Sequence, residues 1–330
     1  MKIGVPAETT AGEARVALTP DVAKKLNAKG FEIVVEEGAG ARAFFSDSQY
    51  RDNGVQPVTR AEALAAEIVL GVRRPSLADV AGMRDGSVFV GHLESCDTAD
   101  DEVVAAMVQK GITAIAMERI PRISRAQAMD ALSSQSNIAG YRAVIEAAAH
   151  YGRFLPVMMT AAGSAKPARA VVLGAGVAGL QAIATARRLG ADVYAYDVRP
   201  ETREQILSLG AKTIELDIGE SGSGEGGYAK ELSEEARQRQ QEQLSDELAK
   251  AHVIITTALI PCKPAPVLIP AGVVERMREG SVIVDLAAAT GGNCELTEKD
   301  AVVTRHGVII VGHTNYPAMV ASDASAFYAQ

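Results

Sequence analysis

The chain has 330 residues, 48% of them hydrophobic and 22% charged, with a formal net charge of −8. That length suggests two domains, each large enough to bury its own core, and the composition is that of a globular protein. The acidic balance, with no lysine or arginine cluster, no Trp and few other aromatic residues, argues against a nucleic-acid surface.

No uninterrupted apolar run is long enough to cross a bilayer, so no direct membrane insertion is expected. The opening Met1-Lys-Ile-Gly-Val-Pro turns polar at Glu8 and offers no signal-peptide core. Cys96, Cys262 and Cys294 are an odd, widely spaced set. They suggest neither a disulfide framework nor a metal site, and point to a reducing, cytoplasmic compartment.

In chain order, residues 2–5 read as a strand, and Thr19-Pro20 supplies an N-cap and first-turn proline for a helix that Gly30 ends. Strands are predicted at 31–36, 68–72, 87–91 and 113–117, with helices near 60–66 and 99–109. Such alternation implies a parallel sheet covered on both faces. This half carries no phosphate-binding glycine fingerprint. Residues 130–151, rich in Ala, Leu and Ile and closed by Gly152, predict one long helix crossing to a second domain, with a cleft beside it.

The second domain opens on Ala170-Val-Val-Leu-Gly-Ala-Gly-Val-Ala-Gly, followed by a helical run and then Val193-Tyr-Ala-Tyr-Asp. Strand, glycines, helix, second strand and terminal acid arrive in the order of a dinucleotide-binding β-α-β unit. Gly174 allows the tight turn, Gly176 lets the backbone approach a pyrophosphate, and Gly179 lets the helix pack on the sheet. Ala175 and Val177 complete the turn, whose helix N-terminus faces the phosphates. Asp197 is placed to accept hydrogen bonds from an adenosine ribose, which favours NAD(H). Arg199, beside Val198, is the residue type that holds a 2′-phosphate.

Residues 219–227, with closely spaced glycines, read as a mobile loop, and the polar run 230–250 as a solvated helix face. Apolar runs at 253–257, 281–286 and 307–311 suit buried strands. The fold class is therefore α/β, with two Rossmann-like, doubly wound parallel-sheet domains separated by a cleft. Their boundaries are set at 1–133 with about 317–330, and 134–316.

Two further polar sets stand out. Pro121-Arg-Ile-Ser-Arg-Ala-Gln-Ala-Met-Asp-Ala-Leu-Ser-Ser-Gln places Arg122, Gln127, Asp130 and Ser133 ahead of the long helix. If helical from Ser124, Gln127, Asp130 and Ser133 follow one side at three-residue spacing, facing a nicotinamide. A helix start with capping residues explains the same spacing equally well. Arg15, Arg73 and His92 lie near predicted element ends, where they face either a ligand crevice or the core. No metal-ligand spacing, nucleophile elbow or P-loop is present.

The Arg122 segment, together with Asn137-Ile-Ala-Gly-Tyr-Arg, Val171-Val-Leu-Gly-Ala-Gly-Val-Ala-Gly-Leu, Gly227-Tyr-Ala-Lys, Thr256-Thr-Ala-Leu-Ile-Pro and Val284-Asp-Leu-Ala-Ala, closely resembles the NAD(H)-binding component of proton-translocating transhydrogenase. The resemblance covers essentially the whole chain. It implies a homodimer that binds NAD(H) and docks on an NADP(H)-binding component and a membrane-spanning subunit, peripheral to the inner membrane. Hydride would pass directly from NADH to NADP+, coupled to proton movement. Residue by residue, it implies that Arg122, Gln127, Asp130 and Ser133 position the nicotinamide, that Tyr228 belongs to a loop closing over nucleotide, and that Ala258 and Leu259 line the cofactor. Family members also continue past the point matching Gln330 with further helix.

Alanine dehydrogenase is the nearest alternative, similar in fold and in Glu13-Ala-Arg-Val-Ala. That family uses an arginine matching Arg15 and a histidine matching His92, but a lysine where this chain has Arg73 and an aspartate where it has Ala289. A third reading is an NAD-sensing module without catalysis.

Overall fold

The computed structural model describes residues 1–94, 101–221, 223, 232–260 and 262–330. Cys96, most of the glycine loop, Tyr228 and the start of the polar run lie outside the described residues. The chain divides into two compact units, Met1–Gln135 with Pro317–Gln330, and Ser136–Tyr316.

In the first unit, β1 (Lys2–Val5), β2 (Glu32–Glu36), β3 (Gln56–Val58), β4 (Ile68–Leu70), β5 (Val88–Gly91) and β6 (Thr113–Ala116) form a parallel sheet of order β3-β2-β1-β4-β5-β6. Helices α1 (Pro20–Ala28), α2 (Asp47–Asp52), α3 (Arg60–Leu64), α4 (Leu77–Gly82) and α5 (Glu102–Gln109) connect the strands. Sequence patterning finds neither α2, α4 nor β3. Each is too short for periodicity to show, and α2 to α4 start on capping boxes instead, Ser46 with Gln49, Thr59 with Glu62 and Ser76 with Asp79.

Helix α6 (Ala131–His150) begins in the first unit and continues into the second. A short antiparallel hairpin follows, β7 (Met158–Thr160) and β8 (Gly163–Ala165). The second sheet contains β9 (Arg169–Leu173), β10 (Asp192–Tyr196), β11 (Lys212–Thr213), β12 (Val253–Thr256), β13 (Val282–Asp285), β14 (Val302–Arg305) and β15 (Val308–Val311). Its order is β11-β10-β9-β12-β13-β15-β14. All neighbours are parallel except β14, an antiparallel edge strand that turns through His306 and Gly307, both at positive φ.

Strand alternation divides the core of this unit. Ala170, Val172, Val193 and Ile255 pack on one face with Ala182, Ile183 and Ala186 of α7 (Val177–Arg188), and with Val144 and Ala147 of α6. Val171, Leu173, Ile254 and Ile283 face the opposite way. They meet Leu244 and Leu248 of α9 (Glu234–Ala249), and Val273 and Val274 of α10 (Ala271–Arg276); α8 (Thr202–Ser208) joins β10 to β11. Buried on both faces, β12 and β13 need no polar alternation. The polar α9 buries only a stripe of Ala236, Gln240, Leu244 and Leu248, as expected for one solvated face.

The last helix, α11 (Ala321–Tyr328), rejoins the first unit. There the Val16 N–H donates to Ser325 Oγ (3.0 Å), and Tyr328 OH donates to the Gly71 carbonyl (2.8 Å).

Helices α6 and α7 approach so closely that a Cβ at Gly140 would lie 2.0 Å from the Ala178 carbonyl oxygen. Backbone cannot retreat as a flexible side chain can. Gly140→Ala is therefore expected to lower unfolding free energy by about 1–3 kcal/mol in urea melts, even though alanine favours a helix.

Candidate dinucleotide-binding site

The turn between β9 and α7 is built from glycines with separate tasks. Gly174 stands at φ +96°, a conformation that favours glycine. A Cβ at Gly179 would lie 1.8 Å from the Gly174 carbonyl oxygen, so only glycine lets α7 rest on the turn. Gly176 differs. Its φ of −76° suits any residue, and a Cβ there would meet no atom within 4 Å. Neither torsion nor internal packing asks for glycine at 176, and the space over the turn is open there. Val177 begins α7, so the first-turn amides open towards the same place. These features fit a pyrophosphate.

Asp197 follows β10. Its Oδ2 accepts from the Ala175 N–H (2.6 Å), tying the acid to the glycine turn. Arg199 grips the same carboxylate, donating from Nε to Oδ1 (2.8 Å) and from Nη2 to Oδ2 (2.7 Å). The guanidinium therefore answers a charge within the chain, and Val198 is partly buried between the two.

The loop after β12 packs against this turn. Thr257 Oγ1 lies 3.2 Å from the Leu173 carbonyl and 3.3 Å from that of Gly174. Ala258 is held by Asn293, and Leu259 is 41% exposed. Sequence reasoning overlooks Asn293 because a lone Asn has no spacing signature. Gly291-Gly292-Asn293, just past the short 3-10 turn Ala288–Thr290 that follows β13, is the available cue, and Gly291 and Gly292 are both at positive φ.

In the first unit, Arg122, Asp130 and Ser133 come together. Asp130 accepts from the Ser133 N–H (2.9 Å) and Oγ (2.6 Å), and Arg122 Nη2 donates to Ser133 Oγ (2.8 Å). Burial opposes ionisation of Asp130, but the Ser133 bonds and the Arg122 charge outweigh it and lower its pKa. Ser124–Met129 is a 3-10 helix that breaks at Asp130 before α6 starts. The expected continuous α-helical row is corrected accordingly. Asp130 caps α6, and Gln127 is exposed, its backbone carbonyl accepting from the Asp130 N–H (3.3 Å). Tyr228 lies outside the described residues.

The family descriptions "Alanine dehydrogenase/PNT, N-terminal domain" and "C-terminal domain" match residues 4–139 and 143–330. The chain is 52% identical to the first part of the NAD(P) transhydrogenase subunit alpha of Rhodospirillum rubrum, over all of this chain and 88% of that one. It is 49% identical to NAD(P) transhydrogenase subunit alpha of Cereibacter sphaeroides, of which it spans 63%. The chain belongs to the alanine dehydrogenase/PNT family, among its NAD(P) transhydrogenase alpha subunits. The crystal structure of transhydrogenase from Sinorhizobium meliloti superposes with TM-score 0.89 at 44% identity, covering all of this chain and 91% of that one. An L-alanine dehydrogenase structure gives 0.83 at 28%, covering 99% and 86%.

Within this transhydrogenase branch, the positions matching the alanine dehydrogenase set are occupied by internal contacts. Arg15, 5% exposed, pairs with fully buried Glu13 through Nε (2.8 Å) and Nη2 (2.6 Å), and its Nη1 donates to Gln135 (2.8 Å). Arg73 pairs with Glu94 at 2.9 Å. His92 Nδ1 bonds the Val72 carbonyl at 2.8 Å beside the Tyr328 ring, and burial lowers its pKa. Among the described residues, Cys294 is a free and buried thiol. Among the described residues, no helix is long and apolar enough to cross a membrane.

Gly176→Ala should leave the melting temperature unchanged within about 2 °C yet weaken NADH binding roughly tenfold, because the methyl group occupies ligand space alone; scanning and titration calorimetry check the two halves. A second expectation concerns Glu8, whose carboxylate accepts from the Val72 N–H (2.6 Å), while burial pushes its pKa up to about 7. The folded chain holds this proton more tightly than the unfolded chain does. Its contribution to stability is therefore lost as pH rises from the ordinary carboxylate range through about 7. Glu8→Gln keeps an acceptor oxygen and should flatten the urea-melt profile over that window.

Proposed function

We propose that the chain is the NAD(H)-binding component of a proton-translocating transhydrogenase. It passes hydride directly between NADH and NADP+ held on a partner component. The observation that carries the NAD(H) reading is Gly176, a glycine required by neither torsion nor packing, set beside an acid at the end of the second strand. The named relatives support the transhydrogenase reading.

In this reading Gly176 and the α7 amides hold the pyrophosphate, and Asp197 binds the adenosine ribose hydroxyls once its carboxylate turns to the ligand. Ala175, Val177, Gly179, Val198, Ala258 and Leu259 shape the remaining contact. Arg199, already paired with Asp197, offers a 2′-phosphate little free charge, which supports NAD(H) over NADP(H) on this chain. The bound nicotinamide supplies the hydride chemistry.

Moving hydride from one nicotinamide to another releases no proton, so the chain needs no general base. It needs orientation and exclusion of water. We assign orientation to Arg122, Gln127, Asp130 and Ser133, with Asp130 ionised and fixed on the α6 cap. Closure over the nucleotide is assigned to the loop carrying Tyr228. The Arg15 guanidinium is paired with Glu13 and Gln135 within the chain and is not free to bind an amino-acid carboxylate.

The same reading includes a homodimer and a cytoplasmic place beside the inner membrane, through an NADP(H)-binding component and a membrane-spanning subunit. The homodimer is supported by apolar side chains exposed at the hairpin and just before it, Met159 (80%) with Phe154 (57%) and Val157 (58%).

Gln127→Asn is expected to slow hydride transfer to an added NADP(H)-binding component by about a hundredfold, the scale of a small misplacement of reacting groups. NADH affinity should change little. L-alanine with NAD should give no turnover. Unchanged transfer would remove the role of Gln127, and alanine oxidation without a partner would overturn the transhydrogenase reading.

A further inference from the structure

The second unit ties a buried asparagine to the edge of the nucleotide site. Asn293 is fully buried, and its side-chain amide takes both ends of the Ala258 residue. Oδ1 accepts from the Ala258 N–H (3.1 Å), and Nδ2 donates to the Ala258 carbonyl (2.9 Å) and the Pro266 carbonyl (2.9 Å). The asparagine's own carbonyl accepts from the Leu268 and Ile269 N–H groups at 2.8 and 2.9 Å. One residue thus fixes both limbs of the loop after β12.

A buried carboxylate holds the residue next to Asn293, Cys294. Asp285, at the end of β13, accepts from Thr256 Oγ1 (2.9 Å), the Ala287 N–H (3.0 Å), the Cys294 N–H (3.0 Å) and Thr297 Oγ1 (2.7 Å). A Cβ at Gly292 would lie 2.8 Å from Asp285 Oδ2, so the turn closes tightly on the acid. The linkage runs from Asp285 through the Gly291-Gly292 turn to Asn293 and Ala258.

Its place in the sheet gives this linkage a function. Strand order reverses between β9 and β12, which makes that junction the switch point where a dinucleotide crosses. Asp197, at the end of β10, marks the adenosine side, so the loop after β12 borders the other mononucleotide. We propose that Asn293 is a positioning residue for the nicotinamide half of NAD(H), acting through the Ala258 backbone and touching no part of the cofactor. The inference rests on the NAD(H) reading above.

The test compares Asn293→Ala with the wild-type chain, using NADH and AMP as separate calorimetric probes. Removing bonds that leave buried backbone groups unpaired is expected to weaken NADH binding about tenfold, with AMP affinity within about twofold of wild type. Equal losses for both probes, or no loss for either, would overturn the proposal. Should the variant fail to fold, hydrogen exchange on the wild-type chain decides. The Ala258 amide should exchange far more slowly than the Leu259 amide without nucleotide, and equal fast exchange at both overturns the clamp. A wild-type chain that binds AMP but not NADH would count against the NAD(H) reading itself, an outcome separate from the variant's ratio of affinities.

Discussion

A methyl group at position 179 would sit 1.8 Å from the Gly174 carbonyl oxygen, and the second unit is arranged around that lack of room. The approach sets α7 directly on the end of β9, which brings the helix N-terminus to the carboxyl edge of the sheet. The Ala175 amide then reaches Asp197 across the turn, and Thr257 reaches the Leu173 and Gly174 carbonyls from the other side. Backbone contacts this short leave little freedom. They place the α7 N-terminus, the Asp197 carboxylate and the β12 loop on one edge of the sheet.

Charge is handled differently in the two units. On the edge beside the glycine turn, the Asp197 carboxylate is held by Arg199 and the Ala175 amide. In the first unit, Arg15 and Glu13 form a buried pair whose separation would strand a charge, an arrangement that resists recruitment by an external substrate. His92 fits the same pattern. Its Nδ1 bonds the Val72 carbonyl beside the Tyr328 ring, and burial lowers its pKa.

Much of this was legible in the sequence where several signals coincide. The fingerprint region reads correctly because strand, glycines, helix, strand and acid must appear in sequence for the β-α-β unit to close. Apolar runs such as Val253 to Thr256 identify buried parallel strands for the same physical reason. Short elements carry no such redundancy. Helix α4 is marked mainly by Ser76 and Asp79, and β14 by the His306-Gly307 turn. The break at Asp130 was hidden because three-residue spacing is shared by an α-helical row and a capped helix start. Asn293 was hidden for a deeper reason, since its importance comes from Asp285 and the Ala258 backbone, both assembled only by the fold.

The central claim is direct hydride transfer between two nicotinamides. It is tested most directly with NADH carrying deuterium at the transferable C4 position, mixed with NADP+ and a purified NADP(H)-binding component. The account predicts that the deuterium appears in NADPH without exchange into water, and only when the partner is present. Loss of the label to solvent, or labelled NADPH formed without the partner, would contradict it.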